Sequence, residues 1–103
     1  EGEVWEGTYF STGGEGWGRS RVPACGLLLK RMGGIMQEKI GTETKYVLVE
    51  ELGRYNVLGW SSVRNESSLV GLYKATPWWQ ACEKVGGGFK GLIVTVEWVH
   101  EKW

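Results

Sequence analysis

Side chains able to do chemistry are scarce in this 103-residue chain. There is one histidine, His100, and there are two cysteines, Cys25 and Cys82. That is too few soft ligands for a structural zinc site. No spacing places His100 with a cysteine or serine in the way a nucleophile and its base require. Charge of one sign is also lacking: twelve acidic and twelve basic side chains leave a formal net charge of zero. A balance of this kind excludes the basic footprint of a nucleic-acid binder. No run of Lys and Arg is dense enough to hold an anionic lipid surface. No apolar stretch approaches the roughly 20 residues that span a bilayer. Repeats, low-complexity tails and linkers are missing as well, so residues 1–103 read as a single domain, near the size where a core profits from a staple.

Glycine and tryptophan are over-represented. Gly occurs 17 times, more than twice the usual share of about 7%. The seven tryptophans stand at 5, 17, 60, 78, 79, 98 and 103. Burying all of them would demand many N–H partners, so some are expected at the surface.

The clearest local pattern runs from Ser67 to Val99. Thr76 can cap a helix whose first position is Pro77, one of only two prolines, where the missing N–H costs nothing. Trp78, Ala81, Cys82 and Val85 then form one apolar stripe. Gly86-Gly87-Gly88 ends the helix. Leu92, Val94, Val96 and Trp98 alternate with Ile93, Thr95, Glu97 and Val99, the period of a strand. Upstream, Glu3 to Phe10 is β-prone, and Ser11 to Ser20 is a glycine-rich connection. Pro23 opens a helical spacing of Cys25, Leu28, Leu29, Met32 and Met36, which predicts a helix from about Val22, broken near Gly33 and ended before Gly41. Lys45 to Glu51 and Tyr55 to Ser61 read as a hairpin about Leu52-Gly53-Arg54, Ser62 to Ser67 as a loop, and Ser68 to Lys74 as a further short strand.

This order predicts an α+β fold: a two-layer split β-α-β (ferredoxin-like) sandwich, with an antiparallel sheet and two helices on one face. Cys25 and Cys82 would then sit on neighbouring helices. A disulfide between them would close about 58 residues and stabilise by roughly 4 kcal/mol. With the sequon Asn65-Glu66-Ser67 as a glycosylation acceptor, and a chain that starts at Glu1 rather than Met, the expected setting is secreted.

The candidate binding residues are Trp17, Arg19, Arg21, Trp79 and Trp103. Trp79 points away from the stripe that carries Trp78, and Trp17 lies in the glycine-rich connection. Indoles of this kind suit interface hot spots and stack on sugar rings. In Gly13-Gly14-Glu15-Gly16-Trp17-Gly18-Arg19, backbone N–H groups before a helix could hold an anion, with Arg19 and Arg21 adding charged donors. The phosphate-loop and dinucleotide patterns are both missing. Glu50-Glu51 lies on a strand, where neighbours face opposite ways, so the pair shares no site.

In general plan this resembles small secreted killer toxins, which are processed two-layer sandwiches pinned by disulfides. That resemblance implies a non-enzymatic binding protein without a cofactor, engaging a cell-surface component or receptor, with carbohydrate as one option. The element order also resembles that of the acylphosphatases, in which an Arg of the first loop and an Asn of the hairpin act. That resemblance implies a small hydrolase using Arg19 or Arg21 with Asn65, although the family's Gly-x-Val-Gln-Gly-Val-x-Phe-Arg loop is missing here. A third expectation is a homo-oligomer paired edge to edge through the regular last strand, Gly91 to Val99.

Overall fold

A computed structural model describes residues 6–12, 21–50, 57–66 and 70–102. The strands are β1 (Tyr9–Ser11), β2 (Ile35–Met36), β3 (Tyr46–Val49), β4 (Leu58–Gly59) and β5 (Leu92–Thr95). The helices are α1 (Val22–Arg31), α2 (Trp60–Glu66), α3 (Val70–Tyr73), α4 (Pro77–Glu83) and α5 (Val96–Lys102). Among the described residues the five strands form one sheet in the order β2-β1-β3-β5-β4. The pairs β1–β2, β1–β3 and β3–β5 are parallel, and only β4 runs antiparallel, against β5.

The fold is therefore mixed α and β, but its sheet is mostly parallel and its helices cover both faces. The ferredoxin-like expectation is corrected on both counts. Alternation along the two central strands shows why. Tyr46, Leu48 and Val94 pack with Val22, Cys25 and Leu29 of α1, Val96 and Val99 of α5, and Phe10 of β1. Val47, Val49 and Ile93 pack on the other face with Trp60 and Val63 of α2, Trp78, Trp79 and Cys82 of α4, and Phe89. A strand buried on both sides has no polar face to spare, so Tyr46–Val49 is buried at every position, as the inner strands of parallel sheets are.

Several local expectations change with this. The first helix ends at Arg31, where Gly33 adopts φ +94 and the Gly34 N–H is donated to the Leu29 carbonyl at 2.9 Å. Met36, placed on the helix by its spacing, forms with Ile35 the edge strand β2 instead. The stretch expected to be a loop and then a strand holds α2 and α3. β4 pairs with β5 rather than with β3, so no β3–β4 hairpin forms. Helix α4 begins where expected: the Thr76 hydroxyl accepts from the Trp79 N–H at 3.3 Å and Pro77 opens the helix.

The last segment is the largest local departure. β5 stops at Thr95, whose hydroxyl accepts from the Trp98 N–H at 3.0 Å and so caps α5. The C-terminal strand is thus short and central, with β3 on one side and β4 on the other. It cannot serve as the free edge for assembly.

Cys25 and Cys82 belong to clusters on opposite faces of the sheet, and both are free thiols. The expected disulfide is a correction too. Burial pushes the Cys25 thiol up to about 11, opposed by the nearby Arg21 charge and aided by Glu50 and Glu97. Burial alone pushes Cys82 up to about 12. The folded state thus binds these protons more tightly than the unfolded chain does. Their contribution is complete below the ordinary thiol value of 9.0 and is lost as pH rises towards 11 and 12. Thiol titration should find both cysteines inert in the native protein and reactive in denaturant, with a mass unaffected by reductant. Alkaline unfolding should set in earlier than in a Cys25→Ala/Cys82→Ala variant, measured relative to each protein's stability at neutral pH. Rapid native labelling of either thiol would contradict this burial.

Candidate functional site

Because β1, β3 and β5 run parallel, their carboxyl ends open onto the same side of the sheet. From β1 the chain passes through α1 to β2 on one flank, then crosses to β3 on the other. The boundary between β1 and β3 is thus a topological switch point, where open α/β sheets form a crevice beyond their strand ends. The register adds a step: Ser11, the last residue of β1, lies beside Val47, whereas β3 continues to Val49 beside Thr95.

Polar and charged residues of four elements stand at the strand ends here, and three of them are joined. Ser11 is fully buried and Thr12 half-buried at the end of β1. Glu50 follows the last residue of β3, and Glu97 lies in the first turn of α5. Arg21 stands at the N-cap of α1 and joins the two carboxylates. Its backbone N–H is donated to Glu50 Oε1 at 3.1 Å, its Nε to Glu50 Oε2 at 3.0 Å, and its Nη2 to the same oxygen at 2.7 Å. Nη2 also donates to Glu97 Oε2. Helix α1 has no side-chain cap of its own, so the Glu50 carboxylate from β3 takes that role against the positive end of the helix.

The electrostatics follow from this geometry. The Arg21 hydrogen bond holds the Glu97 carboxyl below its ordinary value; the Glu97 backbone amide and the charges of Arg21 and His100 lower it further, against a cost of desolvation. The hydrogen bonds it donates to Glu97 and then to Glu50 raise the Arg21 guanidinium. A depressed carboxylate contributes stability above its unfolded value and loses it as pH falls through the folded one. Arg21 is about half exposed, with a side-chain exposure of 55%, so solvent weakens the network. Two carboxylates around one guanidinium leave this edge locally negative among the described residues.

Of the residues proposed for binding, Arg21 alone is seen at this edge. Trp17, Arg19 and Trp103 lie outside the described residues, as does most of the glycine-rich connection, which joins Thr12 to Arg21 in the chain. Trp79 is 1% exposed, so its expected surface position is corrected. Its ring meets Trp60 edge-on at 5.0 Å and lies 6.2 Å from Trp78, which in turn lies 5.6 Å from Tyr73. Asn65 is exposed on α2, and His100 is exposed on α5. From the sequence, Glu50 is weighed only as a partner of Glu51 and set aside, and Glu97 is read as one position of a strand. The available signal was an acid placed directly after an apolar strand run, in VLVE and again in IVTVE.

Among the described residues no group of three His, Cys, Asp or Glu side chains is placed to hold a metal ion, and no helix is long and apolar enough to cross a membrane. No known protein family, curated protein or solved structure matches the chain.

Proposed function

We propose that the chain is a non-enzymatic recognition module that engages a segment of a partner protein at the carboxyl edge of its sheet. The switch point between β1 and β3 carries this proposal: open α/β sheets take ligands beyond their strand ends at such a point, and here Arg21 of the α1 N-cap, Glu50 after β3 and Glu97 of α5 stand beside it. The chemistry of the groups favours holding over turnover. The thiols are buried and protonated at neutral pH, His100 lies out on α5, and the three charged side chains satisfy one another. The hydrolase alternative needs an arginine free to receive an anion, and of its two candidates the one among the described residues, Arg21, is shared by two carboxylates. Secretion and a toxin-like role lose the support of a disulfide, which leaves the sequon at Asn65, so the proposal is confined to binding.

The test is a display selection of random peptides on the immobilised chain, followed by amide-shift mapping of an enriched peptide. The expected shifts cluster at Ser11, Thr12, Arg21, Val22, Glu50 and Glu97, and Thr12→Arg weakens binding at least about tenfold, the effect of one well-placed interface residue. Shifts gathered on the opposite edge of the sheet would overturn the proposal. So would turnover of an acyl phosphate that disappears in Arg21→Ala.

A further inference from the structure

Helices α2, α3 and α4 line up four oxidisable rings. Trp60, the first residue of α2, meets Trp79 edge-on with ring centroids 5.0 Å apart. Trp79 lies 6.2 Å from Trp78, and Trp78 lies 5.6 Å from Tyr73, the last residue of α3. The three indoles are buried, whereas Tyr73 is half-buried and is the tyrosine packed against this cluster among the described residues. Contacts of this kind hold a core together, but they also have a redox consequence. Indole and phenol give up a single electron more readily than the other aromatic rings of proteins, and rings in contact pass electrons between them.

The two ends of the row differ. At one end the Arg64 guanidinium, one turn along α2, stands 5.8 Å from the Trp60 ring centroid. A cation there is drawn to the neutral ring and repels positive charge placed on it, so an electron vacancy is least stable at Trp60. At the other end Tyr73 reaches water. A phenol that loses an electron also sheds its proton, and a partly exposed phenol has solvent to receive it. Cys82 belongs to the same cluster, but burial holds its proton, pushing the thiol up to about 12, so it is the poorer exit.

We propose that this row gives the protein a one-electron donor activity: an electron taken from any of the three indoles by a diffusible radical oxidant is replaced, ring by ring, from Tyr73. The oxidant gains one electron and becomes an anion. The Tyr73 O–H bond breaks, its proton passes to water, and a phenoxyl radical remains on Tyr73 with all three indoles restored. Oxidation is thereby carried out of the core to the surface of α3. The activity is independent of the strand-end edge, because α2 and α4 cover the face of the sheet opposite α1 and α5.

Pulse radiolysis of the full chain with the azide radical, which oxidises indole in preference to phenol at neutral pH, tests this. The expected result is indolyl absorption that decays as phenoxyl absorption grows, with a rate constant independent of protein concentration. Tyr73→Phe keeps a ring against Trp78 and should lose most of that growth. Tyr46→Phe is the matched control, since Tyr46 lies 6.0 Å from Trp98 outside the row, and it should lose little. Trp78→Phe leaves Tyr73 in place but removes the indole that joins it to the row, and should lose as much as Tyr73→Phe. Circular dichroism checks that each variant keeps its fold; if Trp78→Phe does not, the two tyrosine variants decide. Phenoxyl growth unchanged in Tyr73→Phe overturns the proposal. An equal loss in Tyr46→Phe, or a rate constant that rises with protein concentration, also overturns it.

Discussion

Replacing Trp79 by alanine should lower the free energy of unfolding by about 3–5 kcal/mol, measured by urea denaturation followed through far-ultraviolet circular dichroism. The indole is 1% exposed and sits between Trp60 and Trp78 in the layer beneath α2 and α4. Its removal opens a cavity walled by two rigid rings and by Val47, Val49 and Ile93 of the sheet, which cannot collapse into the space. Losses of this size are a large share of the 5–15 kcal/mol that holds a typical domain together. Trp79→Phe keeps part of the ring contact and should cost markedly less. A loss below about 0.5 kcal/mol for the alanine variant would return Trp79 to the surface, where such substitutions are nearly neutral.

Gly91→Ala should be the other severe substitution, with a loss of about 1–3 kcal/mol or more from forced overpacking. A Cβ at this position would stand 2.4 Å from the Lys45 carbonyl oxygen, 2.8 Å from its carbonyl carbon and 2.7 Å from the Phe89 ring. The same carbonyl accepts the Leu92 N–H at 2.9 Å, the bond that starts the β3–β5 pairing. Backbone cannot move aside as a flexible side chain would, so the methyl group spreads the two central strands at their entry. Gly59→Ala is the matched control. Nothing lies within 4 Å of its added carbon and its φ is not positive, so it should be neutral or stabilise by a few tenths of a kcal/mol up to about 1 kcal/mol. Equal losses at the two positions would show that chain entropy rather than crowding sets the cost.

Local signals carried the sequence reading where one residue dictates backbone geometry. Thr76 with Pro77 marked the start of α4, and the apolar runs at Tyr46–Val49 and Leu92–Thr95 marked the central strands. Layering was harder to see. Alternation in the segment from Leu92 implies one buried face, yet both alternating sets are apolar as far as Val94. Read that way, the same residues point to burial on two faces and to a parallel sheet. The neighbouring tryptophans mislead for a related reason. A single-stripe helix has room for one of Trp78 and Trp79, whereas α4 packs Trp78 towards Tyr73 and Trp79 towards Trp60. Thr95 hid α5 because threonine suits a strand as well as a cap, and the cap appears only once Trp98 offers its N–H. The charged edge was invisible for a different reason. Arg21, Glu50 and Glu97 are far apart in sequence, and only the parallel order of β1, β3 and β5 brings them together.

The position of β5 bears on how the chain is made in the cell. Of the five described strands, β5 comes last along the chain yet lies between β3 and β4, and among the described residues it is the neighbour through which β4 joins the sheet. A ribosome-bound fragment that has not yet extruded residues 92–95 can pair β1 with β2 and β3, but it leaves the other flank of β3 bare and β4 unattached. Emergence of residues 92–95 is therefore the event that lets the nascent polypeptide complete this sheet.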